Sequence, residues 1–283
     1  MKLKRIFVSL LSLGLLLSPI SIQADEIVAI ASDNSAYTSY KGAWAAAKTG
    51  LKITMMEDWN LGARLIVPEG VSVVIEMNGC KITRNLEGSS DGNGEVILLK
   101  ENSSLTLTGN NYKDTQFTFK GYDKSENLTD LTLVSGGLVT GGASLNGAGG
   151  IHMDKGAQLD LENVAVAGNK TTIGLVRNGG GINMNDDNCK LTMTNAIVGY
   201  NQADKGGGIY VAGENTYITM KGSSICNNYA YDDGGGIYSN KDATYITMNE
   251  GSYISDNYSS GEGGGIFLDN PYCQVLSADG KAK

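Results

Sequence analysis

"DKGGGIYVAGENTYITMKGSSICNNYAYDDGGGIYS", from Asp204 to Ser239, begins nearly as it ends. Glycine-rich starts of this kind recur at Ile151, Ile182, Ile209, Ile237 and Ile266, at intervals of 31, 27, 28 and 29 residues. A period in this range marks a stacked repeat architecture. Aligned on those isoleucines, the copies place Met153, Met184, Val211 and Leu268 two residues on, with Ser239 the exception. A second pair of columns holds Leu159, Leu191, Ile218, Ile246 and Val275, then Leu161, Met193, Met220 and Met248. A third holds Val166, Val198, Ile225 and Ile254. Spacing by two is the strand period, so each copy is expected to supply about three short strands with one face inward. Copies stacked at about 4.8 Å would then share a continuous core that none could build alone.

The glycines and asparagines carry the turns. Gly206–Gly208, Gly234–Gly236 and Gly263–Gly265 stand where the chain bends or approaches a neighbour too closely for a Cβ. Three residues after each third-strand aliphatic comes Asn169, Asn201, Asn228 or Asn257. Asparagine tolerates left-handed backbone, and stacked amides can bond along the column.

Gly-Gly-Ile followed by aliphatic-x-x-Asn resembles the repeats of right-handed parallel β-helix surface proteins, including the polymorphic outer-membrane-protein and adhesin-like groups. The motifs of those groups read Gly-Gly-Ala-aliphatic and Phe-x-x-Asn; here Gly replaces Ala and an aliphatic replaces Phe. The resemblance covers the chain from about residue 147 onward. It implies an all-β fold, a right-handed parallel β-helix, shared with pectate-lyase-like proteins, and a surface or adhesin-like role.

Upstream, "SYKGAWAAAKTG" (Ser39–Gly50) reads as a short N-terminal capping helix ended by Gly50. β-rich runs starting at Leu51, Ala63, Val71, Gly94 and Ser103 read as opening coils, too irregular to align with the later copies. Asn110–Asn127 reads as a polar side loop. Met1–Arg5 carries Lys2, Lys4 and Arg5, followed by an apolar run to Leu17, Pro19 and the small residue Ala24, so residues 1–24 read as a secretory signal peptide. The run is shorter than the ~20 residues a spanning helix needs. The expected organisation is therefore signal 1–24, cap 25–50 and β-helix 51–283, exported and secreted or held at the cell surface. No polar closing element follows Val275, and the expectation is that the helix belongs to a longer chain.

Composition narrows the function. Of 283 residues 39 are glycine and only 3 proline, which favours recurring tight bends over a linker. A formal charge of −8 with no basic stripe argues against nucleic acid as a partner. Four cysteines in an exported chain raise the question of disulfides. Cys189 and Cys273 share a repeat position, but three coils put them about 14 Å apart, beyond the ~7 Å Cα limit. Cys226 lies in another column and Cys80 in an early coil, so no intrachain disulfide is expected.

Outward positions supply the candidate contacts. Tyr210, Tyr238 and Phe267 form one aromatic column, Tyr217 and Tyr245 another, and either could receive glycan rings or simply stabilise the sheet by about 0.2–1 kcal/mol per pair. Asp204, Asp232, Asp233 and Glu262 recur before the glycine bend and could attract Ca²⁺, although they also read as solvated turns. No other cofactor is indicated. Polysaccharide cleavage on such a fold would need paired carboxylates. Asp186 with Asp187 and Asp232 with Asp233 are available, but the Asn-Thr-Asp, Gly-His and Arg-Ile-Lys elements of polygalacturonases are absent. The lone His152 falls at an outward strand position between Ile151 and Met153, and Arg177 is the only arginine of the repeats. No catalytic residue is assigned. The sequence favours a binding or structural module that contacts glycan or protein, with a polysaccharide lyase or hydrolase as the alternative.

Overall fold

The computed structural model describes residues 27–86, 89–109, 115–122, 128–176 and 178–277. The signal segment 1–24 and Arg177 lie outside them.

One coil shows the plan. The chain runs through Ile151–Met153, Gln158–Glu162, Ala165–Ala167 and Lys170–Val176 before the next coil opens at Ile182. Each stretch pairs in parallel with its counterparts above and below, giving four stacked sheets, here sheets I to IV in that order. Sheets I and III have seven strands each, which makes a parallel β-helix of about seven turns. The columns read from the repeats are the observed registers: Ile151, Ile182, Ile209, Ile237 and Ile266 pair in sheet I. Leu159, Leu191, Ile218, Ile246 and Val275 pair in sheet II, and Val166, Val198, Ile225 and Ile254 in sheet III. The irregular opening coils join the same columns, with Leu65 and Ile97 below Ile151 and Val73 and Leu105 below Leu159. Their inward side chains are buried, each such burial being worth roughly 1.5–3 kcal/mol. Ser239, the polar exception, is buried too, and its hydroxyl lies 2.8 Å from that of Thr244.

Three features differ from the sequence expectation. First, a coil holds four strands, not three. Sheet IV is made largely of residues just after the asparagine column, such as Gln202–Ala203 and Tyr229–Ala230, too short to show a period. Second, the expected polar side loop contains an antiparallel hairpin, Gln116–Tyr122 with Leu128–Val134. Phe117, Phe119, Leu131 and Leu133 pack on Leu138, Ala165, Ala167, Ile197 and Tyr200, on the outer side of sheet III. A lone two-stranded hairpin is marginal in water, so this one depends on the sheet beneath it.

Third, the N-terminal cap is larger than one helix. The helix spans Tyr40–Ala47, with the Ser39 hydroxyl accepting from the Gly42 N–H, and buries Ala43, Trp44 and Ala47. Beside it Ala29–Ala31 pairs antiparallel both with Ala36–Tyr37 and with the first sheet II strand, Ile53–Met55. The first coil thus has its strand edge paired and its core covered. At the other end Met248, Ile254, Ile266 and Leu268 are half-buried and Val275 and Leu276 exposed.

Candidate functional site

The asparagine column is a ladder inside the solenoid. The Nδ2 of Asn169, Asn201 and Asn228 each donates to the Oδ1 of the next asparagine, at 3.1, 3.0 and 2.9 Å. It also donates to a backbone carbonyl of the preceding coil, Val139, Val166 or Val198. Each Oδ1 accepts in addition the backbone N–H of the ladder residue one coil back. The left-handed conformation expected of these asparagines belongs instead to the residue before them: Gly168, Tyr200, Asn227 and Asp256 have φ between 56° and 69°. The ladder asparagines serve by their amides. Around the glycine bend Gly206 has φ 62°, whereas Gly207 and Gly208 are required by proximity. A Cβ on Gly207 would lie 2.3 Å from the Tyr229 carbonyl oxygen, and one on Gly208 2.6 Å from that of Gly236.

The outer faces differ in access. The hairpin covers part of sheet III. On sheet I, Tyr210, Tyr238 and Phe267 stack with centroids 5.3 and 5.2 Å apart and planes within 7°. Tyr238 is only 3% exposed; both of its ring faces are taken by neighbours. Lys205 Nζ lies 4.7 Å from its ring centroid and 3.4 Å from its hydroxyl. That lysine is held by Asp232 and Asp233 at 3.2 and 3.1 Å.

This pairing also disposes of most of the acidic column. Asp233 accepts from the Glu262 backbone N–H at 2.9 Å, and that bond, followed by Lys205, holds its carboxyl below the usual range. The Asp204 carbonyl accepts from the Asp232 N–H. Among the described residues no three His, Cys, Asp or Glu side chains gather as metal ligands do. All four cysteines are free thiols.

Sheet II keeps an open outer face. Its first outward column runs Ser72, Ser104, Gln158, Lys190, Tyr217, Tyr245 and Gln274. The next runs Val74, Thr106, Asp160, Thr192, Thr219, Thr247 and Leu276. Tyr217 and Tyr245 stack at 5.0 Å and 16°. Tyr217 is 43% exposed; one ring face meets Tyr245 and the other is turned toward the Lys190 coil. A third aromatic pair escaped the sequence reading. Tyr229 and Tyr258 stack at 5.3 Å in sheet IV, with Tyr231 edge-on at 4.9 Å. The signal was there in the Asn-Tyr steps Asn228–Tyr229 and Asn257–Tyr258.

The corner between sheets I and II holds an ionic cluster that the sequence did not assemble. His152 is outward, as expected, and its Nε2 lies 3.3 Å from Asp154 Oδ1, while Lys100 Nζ meets Asp154 Oδ2 at 2.7 Å. The His152 hydrogen bond, then Lys100, pulls the Asp154 carboxyl down to about 2. Beside this cluster opens a shallow depression of about 600 Å³, lined by Ile66, Pro68, Glu69, Lys100, Glu101, Asp154, Lys155 and Asp186. Asp186 is thus a lining residue, but its neighbour Asp187 accepts from the Glu214 N–H at 2.8 Å. Cys189, whose thiol lies 3.2 Å from the Asp154 carbonyl, is pushed up to about 12 by burial, so it is no nucleophile at neutral pH. Beneath the depression Asn183, next in register to His152, is 1% exposed with its Oδ1 unpartnered.

No helix among the described residues is long and apolar enough to cross a membrane. No protein-family model, curated protein or solved structure matches the chain.

Proposed function

We propose that this β-helix is an exported binding module, secreted or displayed at a cell surface, that contacts glycan along the outer face of sheet II. The observation that carries the reading is access. That face is open over its length and bears the Tyr217–Tyr245 stack amid hydroxyl and amide side chains, whereas Tyr238 on sheet I is enclosed. Rings stacked face to face offer their edges, so a sugar can lie only on a free terminal face, such as that of Tyr217. Tyr210, Tyr238 and Phe267 then serve mainly to tie coils together. Protein contact along the same face is the competing form of the reading, and Ca²⁺ at Asp204, Asp232, Asp233 and Glu262 is an accessory it does not need.

The enzymatic alternative, a polysaccharide lyase or glycoside hydrolase, has one observation in its favour, the His152–Asp154–Lys100 contact beside the depression. A carboxyl held near 2 is ionised at neutral pH and cannot be the acid that protonates a leaving group. The experiment is a glycan array with a parallel polysaccharide-degradation screen on the Asp25–Lys283 protein, with and without Ca²⁺. Binding without cleavage, weakened by Tyr217→Ala and not by Tyr238→Phe, is the expected result. New reducing ends or unsaturated products would replace it with the enzymatic reading.

A further inference from the structure

The depression and the Tyr217 platform lie along one edge of sheet II. Its lining comes from successive turns leaving sheet I: Pro68 and Glu69, then Lys100 and Glu101, then Asp154 and Lys155, then Asp186. Each turn leads directly into the sheet II strand that begins at Ser72, Ser104, Gln158 or Lys190. The next strand in that series presents Tyr217, with its free ring face toward the Lys190 coil. From the Ser72 strand to the Tyr217 strand is four strand spacings, about 19 Å, the reach of a short extended oligosaccharide lying parallel to the solenoid axis.

Charge selects the class of sugar. Within the depression Lys100 is committed to Asp154. Among the described residues Glu69, Glu101 and Asp186 enter no ion pair, and Lys155 is the one further cation of the lining. The lining is therefore net negative, on a chain that is itself acidic. A polyuronate would be repelled, and a neutral glycan would leave the carboxylates unanswered. An ammonium group would find partners there that retain their water-accessible geometry and cost little to desolvate.

From this juxtaposition we infer that the corner is a binding track for an extended hexosamine polymer with free amino groups, its ammonium groups in the depression and a ring on the open face of Tyr217. The inference rests on the glycan-binding reading above and names its ligand class.

The test titrates the Asp25–Lys283 protein by calorimetry with three oligosaccharides of equal length: a de-N-acetylated glucosamine oligomer, its fully N-acetylated counterpart and an oligouronate. Only the amino oligomer should bind well. Its affinity should fall about tenfold or more between low and moderately high salt, since exposed charges are screened. Glu101→Gln with Asp186→Asn should weaken it about fivefold or more with little change in melting temperature, both side chains being at the surface. Tyr217→Ala should weaken it as well. If the N-acetylated oligomer binds equally and only Tyr217→Ala matters, the charge-selected track is wrong and the glycan reading stands. If the oligouronate is preferred, the track is wrong in sign. If no glycan binds, both fall.

Discussion

At the scale of single residues, the ladder asparagines show how one side chain can hold three coils. Asn201 donates to the Val166 carbonyl and to Asn228, and its Oδ1 receives both the backbone N–H and the side-chain amide of Asn169. Asn201→Ala leaves those buried partners unsatisfied and should lower stability by about 2–3 kcal/mol, read as a shift in urea midpoint. The same change at the exposed Asp160 should have little effect. Asp154 makes a pH prediction. Its folded-state carboxyl sits near 2, below the ordinary 3.8. Its contribution to stability is therefore present above about pH 4 and lost as pH falls through 2. Asp154→Asn should be less stable than the parent at pH 5, and the gap should narrow toward pH 2 in matched denaturant melts.

At the scale of elements, the glycine bend is an obligatory close contact between coils. Gly207→Ala drives a Cβ into the Tyr229 carbonyl and should cost more than about 2 kcal/mol. Gly62→Ala, with nothing within 4 Å of its added Cβ, should leave the melting temperature nearly unchanged. The hairpin is a separable element. Its apolar contacts form their own cluster on the outer side of sheet III, apart from the main core. Phe119→Ala should speed amide hydrogen exchange across Gln116–Tyr122 and leave protection in Gln158–Glu162 unchanged. If both change together, the hairpin is integral to the solenoid. The alternation of Phe117 and Phe119 was visible in the sequence, but what it packs against, the small outward residues Ala165 and Ala167, lies some 50 residues downstream.

At the scale of the whole molecule, coil stacking keeps like positions at a fixed spacing, and this decides the cysteine chemistry. An unfolded, unreduced sample should titrate four thiols, and fewer would contradict the free Cys80, Cys189, Cys226 and Cys273. The repeat itself, its columns and the cap were legible because stacking turns a local period into tertiary register. A residue that recurs every coil must meet its own kind. Sheet IV was not legible, because a two-residue strand has no period and is defined only by its neighbours. Nor was the His152–Asp154–Lys100 cluster. Lys100 and Asp154 are 54 residues apart because the hairpin is inserted between them, although they occupy adjacent coils. The sequence alone determined that this chain winds into stacked coils with an aliphatic core and an amide ladder, since those follow from period and side-chain type. Which outer face stays open, which tyrosine keeps a free ring and where the corner charges meet were decided only by the tertiary structure. Turns and insertions of unequal length fold over some faces and not others, and no repeat encodes that.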